Sequence, residues 1–213
     1  MTKIFSTFII LLFSTVLLHA QPSGYKPLKN AEDFKIKLNA AVSKLKTIES
    51  DFVQEKSLSI MAEPMSSRGR FWFRKPGMLR WQYFEPVKYT ILLDGVKMYI
   101  NDGQKTSSFD IKKNKIFSEI NNIMTDCLQG NIQKQGKIYK IAFFEGSKYY
   151  MIKLTPFQKQ MKQFLKSIEL YINKKDYSVD KLKMIELSND FTSIEFINKK
   201  MNHEIPDSQF RLK

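Results

Sequence analysis

The hydrophobic pattern along the chain changes period several times. Phe34, Leu38, Ala41, Val42, Leu45 and Ile48 recur at steps of three and four, the spacing that lines one face of an α-helix. Asn30 precedes them as a capping side chain, and Glu32 and Asp33 fall in the first turn, where the helix dipole favours acids. A helix from Asn30 to about Lys46 is predicted. From Ser50 the period falls to two. Strands are predicted over residues 51–60 and 69–75, then around Leu79, Trp81 and Tyr83, and over 89–93, 96–100 and 106–111. Turns around Pro64, at Pro76-Gly77 and at Asp94-Gly95 separate them.

A second helical stripe interrupts the strands. Ile116, Phe117, Ile120, Ile123, Met124, Cys127 and Leu128 share one face of a predicted helix over residues 115–129, ended by Gly130. Strands are then predicted at 139–144, 149–155, 164–173, 179–187 and 192–198, with Phe210 and Leu212 in a last short edge strand. No strand–helix–strand alternation occurs, which speaks against a doubly wound fold. The predicted class is mainly β with α: one strongly curved antiparallel sheet, its concave face closed by two amphipathic helices.

Residues 1–20 read as an address. Lys3 gives a positive start, residues 4–18 are almost wholly apolar, and His19-Ala20 leads into a polar segment. This is the layout of a secretory signal peptide, with the cut expected after Ala20 and one domain over 21–213. The apolar run is shorter than the roughly 20 residues of a spanning helix, which disfavours an uncleaved anchor. With no cysteine near the cut, no lipid anchor is expected there.

Composition then narrows the function. The formal net charge is +14, with 35 Lys+Arg against 21 Asp+Glu among 213 residues. Such a surplus suits nucleic acid, but an exported chain rarely meets it, so no nucleic-acid partner is expected. The lone Cys127 excludes an internal disulfide framework and sits on an apolar helical stripe, as a small buried hydrophobe would. His203 is the one histidine beyond the signal segment. No phosphate loop, nucleophile elbow or metal-binding helix motif is present. An enzyme, a metal site and a cofactor are therefore not expected. What the chain holds in quantity is adaptable apolar surface, with 17 Phe, 9 Tyr and 10 Met. A curved sheet lined by such residues can hold acyl chains.

At this point the residues resemble a known family. Asp51-Phe52-Val53-Gln54-Glu55, then Gly69-Arg70-Phe71-Trp72-Phe73-Arg74-Lys75-Pro76, Leu79-Arg80-Trp81, Glu85-Pro86 and Leu93-Asp94-Gly95 are similar to the LolA family. The resemblance is close from Ser50 to Asp102 and looser beyond. It implies an unclosed β-barrel with a helical lid over an apolar cavity. It also implies a periplasmic carrier of outer-membrane lipoproteins, a monomer, with three partners. These are acylated lipoproteins, an inner-membrane ATP-driven transporter that releases them, and an outer-membrane acceptor where one exists. Strand parity then assigns Phe71, Phe73, Leu79, Trp81, Tyr83, Ile91, Leu93, Met98 and Ile100 to the cavity wall. Ile120, Ile123, Met124 and Cys127 are assigned to the lid.

One position departs from the family. Arg commonly precedes the turn proline and fastens barrel to lid through helix backbone; here Lys75 stands there, after Arg74. Lys lacks the planar fork of Arg, so either residue is a candidate latch. The acid-free run from Arg68 to Arg80 is a candidate docking patch, expected to rim the cavity mouth. The alternative function within the same fold is a carrier or sensor of another lipid. A secreted hydrolase with an unrecognised site is the remote one.

Overall fold

The computed structural model describes residues 22–110, 123, 125–126 and 132–212. The predicted signal segment, and Ile120, Met124 and Cys127 of the predicted lid, lie outside the described residues.

Twelve strands form one antiparallel sheet among the described residues. They are β1 (Lys26–Pro27), β2 (Thr47–Ser57), β3 (Met65–Arg74), β4 (Met78–Glu85), β5 (Tyr89–Leu93) and β6 (Lys97–Asn101), followed by β7 (Thr106–Asp110), β8 (Tyr139–Glu145), β9 (Tyr149–Pro156), β10 (Leu165–Asn173), β11 (Val179–Glu186) and β12 (Phe191–Met201). The spatial order is β1-β8-β9-β10-β11-β12-β2-β3-β4-β5-β6-β7. Hairpins join most neighbours, and β12 returns to lie beside β2 in the middle of the sheet. The sheet does not close, since β1 and β7 end it on either side.

The helix α1 (Ala31–Ser43) lies on the concave face. The Asn30 side chain accepts from the Asp33 backbone N–H at 3.1 Å, which fixes its start. Phe34, Leu38 and Val42 are buried. It ends three residues before the predicted Lys46, because Ile48 belongs to the strand period and not to the helical one: β2 begins at Thr47. The β5–β6 turn forms at the predicted place. The Asp94 carboxylate accepts from the N–H groups of Val96 and Lys97, and Gly95 takes a φ of +90° that suits glycine.

Three expectations are corrected. Residues 65–67, predicted as turn, are strand, with Met65 opposite Lys56. The segment before α1, for which no strand was predicted, holds a short strand, β1, that pairs with β8. The last edge strand does not form. β12 is already paired on both sides, so no free edge awaits the chain that follows it. That chain instead crosses the convex face and makes a 3-10 turn at Asp207–Phe210. Ile205 and Phe210 are buried there against Trp72 and Leu92.

Candidate functional site

The register of β3 to β6 places the nine predicted cavity residues on one face. Phe71 stands opposite Trp81 and Phe73 opposite Leu79. Leu79 and Trp81 stand opposite Leu93 and Ile91, and these opposite Met98 and Ile100. Gly69 opposite Tyr83 completes the row. All nine face the concave core with α1. Phe71, Phe73, Leu79, Tyr83, Leu93 and Met98 are buried, whereas Trp81, Ile91 and Ile100 are half-buried. Ile123, from the predicted lid, is buried in the same cluster.

Aromatic rings dominate this half of the face. Phe52 meets Trp81 and Tyr83 edge-on at centroid distances of 5.1 and 4.9 Å. Phe71 lies 4.6 Å from Trp81 and 5.4 Å from Phe196. Gly69 makes room for the Phe52 ring: a Cβ there would lie 2.1 Å from the Gln82 carbonyl oxygen and 2.7 Å from that ring. The Tyr83 hydroxyl donates to Gln54 Oε1 at 3.0 Å, so Phe52 and Gln54 of β2 hold two sides of one cluster. Burial pushes the Tyr83 hydroxyl well above the ordinary tyrosine range and keeps it a neutral donor.

The two candidate latch residues part at the end of β3. Lys75 Nζ donates to the Val42 carbonyl in the last turn of α1 at 2.8 Å, and the Lys75 backbone N–H donates to the Lys46 carbonyl at 2.9 Å. α1 has no basic residue of its own in that turn. The ammonium thus comes from the end of β3 to the negative end of the helix dipole. Partial burial lowers the Lys75 pKa from its ordinary value. Arg74 points to the other face. It bonds Asp207 at 2.6 Å, reaches the Ile205 carbonyl and stacks over Phe210 at 4.6 Å.

The expectation that the basic run rims the cavity mouth is corrected. Alternation puts Arg70, Arg74 and Arg80 opposite in facing to Phe71 and Phe73. On the convex face they are engaged within the chain. Arg70 pairs with Asp51 at 2.7 Å, and Arg80 donates to the carbonyls of Gln209 and Arg211 at 3.0 and 3.1 Å. Arg74 and Arg80 thereby clamp the C-terminal segment, while Arg70 ties β3 to β2.

Open space lies elsewhere on the described surface. An apolar cleft of about 440 Å³ opens between β10, β11 and the loop before β10, lined by Tyr139, Met161, Phe164, Ile168, Met184 and Leu187 among others. Tyr139 and Ile168 belong to the concave core, so this cleft leads onto the same apolar face from its far half. The sequence reading missed it. The alternation of Ile168, Leu170 and Ile172 marks the strand, but Met161 sits in a Lys/Gln-rich segment with no period to reveal it. A cleft of about 520 Å³ lies beside β1 and Tyr150, and one of about 430 Å³ beneath the C-terminal segment. Among the described residues no cluster of His, Cys, Asp and Glu is placed to hold a metal, and no helix is long and apolar enough to cross a membrane.

Comparison with known proteins now bears on this geometry. The family described as "Outer membrane lipoprotein carrier protein LolA" matches residues 43–213. The chain belongs to the LolA family. A curated relative, the uncharacterized protein MJ0687 of Methanocaldococcus jannaschii, is 22% identical over 194 residues, covering 89% of this chain. The chain spans about half the length of that relative, 53%. Among solved structures, MucB has a TM-score of 0.53 at 13% identity, over 86% of this chain and 63% of its own. An uncharacterized conserved protein from Thermus thermophilus has a TM-score of 0.52 at 8% identity, over 87% of this chain and 95% of its own. At such identities these two show a shared fold and nothing more. In this LolA-family chain the resembling residues split between two faces: Phe52, Gln54, Gly69 and Trp81 build the concave cluster, and Trp72 anchors the convex one.

Proposed function

We propose that this protein is a periplasmic carrier of lipoproteins. It takes the acyl chains of lipoproteins released from the inner membrane by an ATP-driven transporter and delivers them to the outer membrane, through an acceptor where one exists. Residues 1–20 are its export signal and are removed, and the carrier works as a monomer without cofactor or catalysis. One observation carries the reading: an unclosed sheet presents a continuous apolar concave face, and what covers that face is helix and connecting chain instead of a second sheet.

The acyl chains lie against Phe71, Leu79, Trp81, Ile91 and Ile100, displacing α1 and the segment that carries Ile123. Each methylene taken from water contributes about 0.8 kcal/mol. Such binding is strong, and a carrier without its own ATP must still release. Closing α1 back over the sheet recovers apolar burial that the departing chain gives up, which lowers the net affinity.

The test is recovery of the protein from the periplasm followed by mass spectrometry of what accompanies it. Lipoproteins acylated at their N-terminus are expected. Free phospholipid or glycolipid alone would favour the same-fold carrier or sensor of another lipid. A protein recovered with neither, and taking up neither when offered, would end the carrier reading.

A further inference from the structure

The strand directions sort the loops of the barrel into two ends. At one end lie the β2–β3, β4–β5, β6–β7, β9–β10 and β11–β12 connections together with the segment before β8. Among the described residues, most of the large apolar side chains that face solvent lie at this end. Ile60, Val87, Phe157, Phe164 and Leu187 are between 53% and 90% exposed and come from four different loops. Val96 is the comparable residue in the loops of the opposite end. The β9–β10 and β11–β12 loops meet where Phe164 and Leu187 line one cleft, and the Ser59 N–H bond to Asp190 brings the β2–β3 loop beside them. Apolar side chains gathered in this way on one end call for a partner.

The charge around these side chains says which partner. Lys88, Lys134, Lys137, Lys159 and Lys162 are exposed at the same end, and none stands in an ion pair among the described residues. Of the carboxylates at this end, Asp190 accepts from the Ser59 backbone N–H and Asp102 from those of Gln104 and Lys105, which leaves Glu63, Glu85 and Glu186 against the five lysines. Phe157-x-Lys159-x-x-Lys162-x-Phe164 interleaves ring and ammonium within one loop. Large apolar tips with unpaired lysines beside them match the boundary of an anionic bilayer: rings enter the acyl region while lysine stems snorkel back to phosphate.

We propose that this end of the barrel docks on the surface of an anionic lipid bilayer. Phe157, Phe164 and Leu187 are the inserting side chains, and Lys88, Lys159 and Lys162 the phosphate contacts. Phe164 and Leu187 also line the 440 Å³ apolar cleft, so docking sets the mouth of that cleft against the membrane. The inference does not depend on lipoprotein being the cargo, because a carrier of any lipid would dock in the same way.

Sedimentation of the purified protein with vesicles of phosphatidylethanolamine and phosphatidylglycerol tests it, with phosphatidylcholine vesicles as the neutral arm. The expected result is binding to the anionic vesicles at least about tenfold above the neutral ones. The triple variant Phe157→Ser, Phe164→Ser, Leu187→Ser should lose about tenfold or more, and Lys88→Gln, Lys159→Gln, Lys162→Gln should erase the preference for anionic lipid. Val96→Ser, at the opposite end, should bind as the unaltered protein does. All the altered side chains are exposed, so melting temperatures should stay together and exclude unfolding as the cause. Equal binding to both vesicles, an undiminished triple variant, or an equal loss on Val96→Ser would overturn the proposal. A dimer in sedimentation equilibrium that the triple variant abolishes, without vesicle binding, would assign the rim to a second copy of this chain instead.

Discussion

Replacing Lys75 by Met tests how α1 is held over the sheet. Met keeps most of the aliphatic stem and removes the donor to the Val42 carbonyl. A hydrogen bond from a charged group contributes about 1.5–3 kcal/mol. The Val42 carbonyl also accepts from the N–H groups of Lys44 and Leu45, so it is not orphaned by the change, and the lower figure applies. The helix additionally loses the cation that faces its C-terminal end, a further ~0.5 kcal/mol. Partial burial of the ammonium, seen in its lowered pKa, offsets some of this. The net loss expected is about 1.5 kcal/mol, close to a tenfold rise in the open population of α1. Hydrogen exchange read by mass spectrometry should show amides of residues 31–46 exchanging about tenfold faster, with β9 and β10 unchanged. Lys75→Arg should keep the protection, because the guanidinium still donates from that position. A fluorescent fatty acid should enter Lys75→Met faster than the unaltered protein. If α1 keeps its protection in Lys75→Met, or if every strand loses protection equally, Lys75 is not a local latch.

Gly69→Ala should destabilise the protein by about 3 kcal/mol or more, because its Cβ meets the Gln82 carbonyl and the Phe52 ring; urea unfolding measures it. Tyr83→Phe removes the donor to Gln54 and should cost about 1 kcal/mol by the same assay, with the Phe52 packing kept. The C-terminal segment should loosen in acid at its Asp207 contact, while Arg80 and the burial of Ile205 and Phe210 keep it in place. Arg74 holds the Asp207 carboxyl below its ordinary value of 3.8, so this stabilisation is complete above that pH and lost as pH falls through the lower folded value. Trp72 fluorescence in a Trp81→Phe background should report a small change below about pH 4, and Asp207→Asn should remove it.

The strand half of the concave site was legible because apolar side chains recur at every second position of β3 to β6, even though Trp72 and Leu92 are buried on the convex side as well. Phe71 and Phe73 must share a facing with Leu79 and Trp81, and a one-residue slip would turn them to the convex side and bring Arg70 and Arg74 into the core. The same parity sends Arg74 to the convex side, yet it cannot place Lys75. That residue lies just past the end of β3, where the pleat stops governing direction and the side chain is free to reach α1. Ile48 was misassigned because residues 45 and 48 satisfy a helical step even though the chain has already left the helix. The convex clamp was hidden for another reason. Arg74 meets Asp207 across 133 residues of sequence, and no local period carries a contact of that range. The basic run therefore looked like a free surface when three of its guanidinium groups were already occupied.

The way the concave face is covered bears on how the proposed carrier would let go of its cargo. An open sheet lined with Phe, Trp and Tyr would aggregate if it stood bare after delivery. Here Phe73, Phe71 and Leu79 are almost wholly shielded by the chain itself. The cover is not held evenly. At the start of α1, Phe34 packs against the rings of Phe143, Tyr150 and Tyr177 at 5.7, 4.8 and 6.2 Å. At its end, Val42 sits beside Leu45 and Ile48, and Lys75 supplies the polar tie. Three ring contacts resist lifting more than one hydrogen bond does, since each aromatic pair adds roughly 0.5–1.5 kcal/mol to its buried area. The helix should therefore swing from its Val42 end with Phe34 as the pivot. Phe34→Ala would then loosen the whole helix and slow reclosure, whereas Lys75→Met would ease opening and leave the return path intact. Stopped-flow release of a fluorescent fatty acid separates the two, and equal effects of both substitutions on both phases would show that the helix moves as a block.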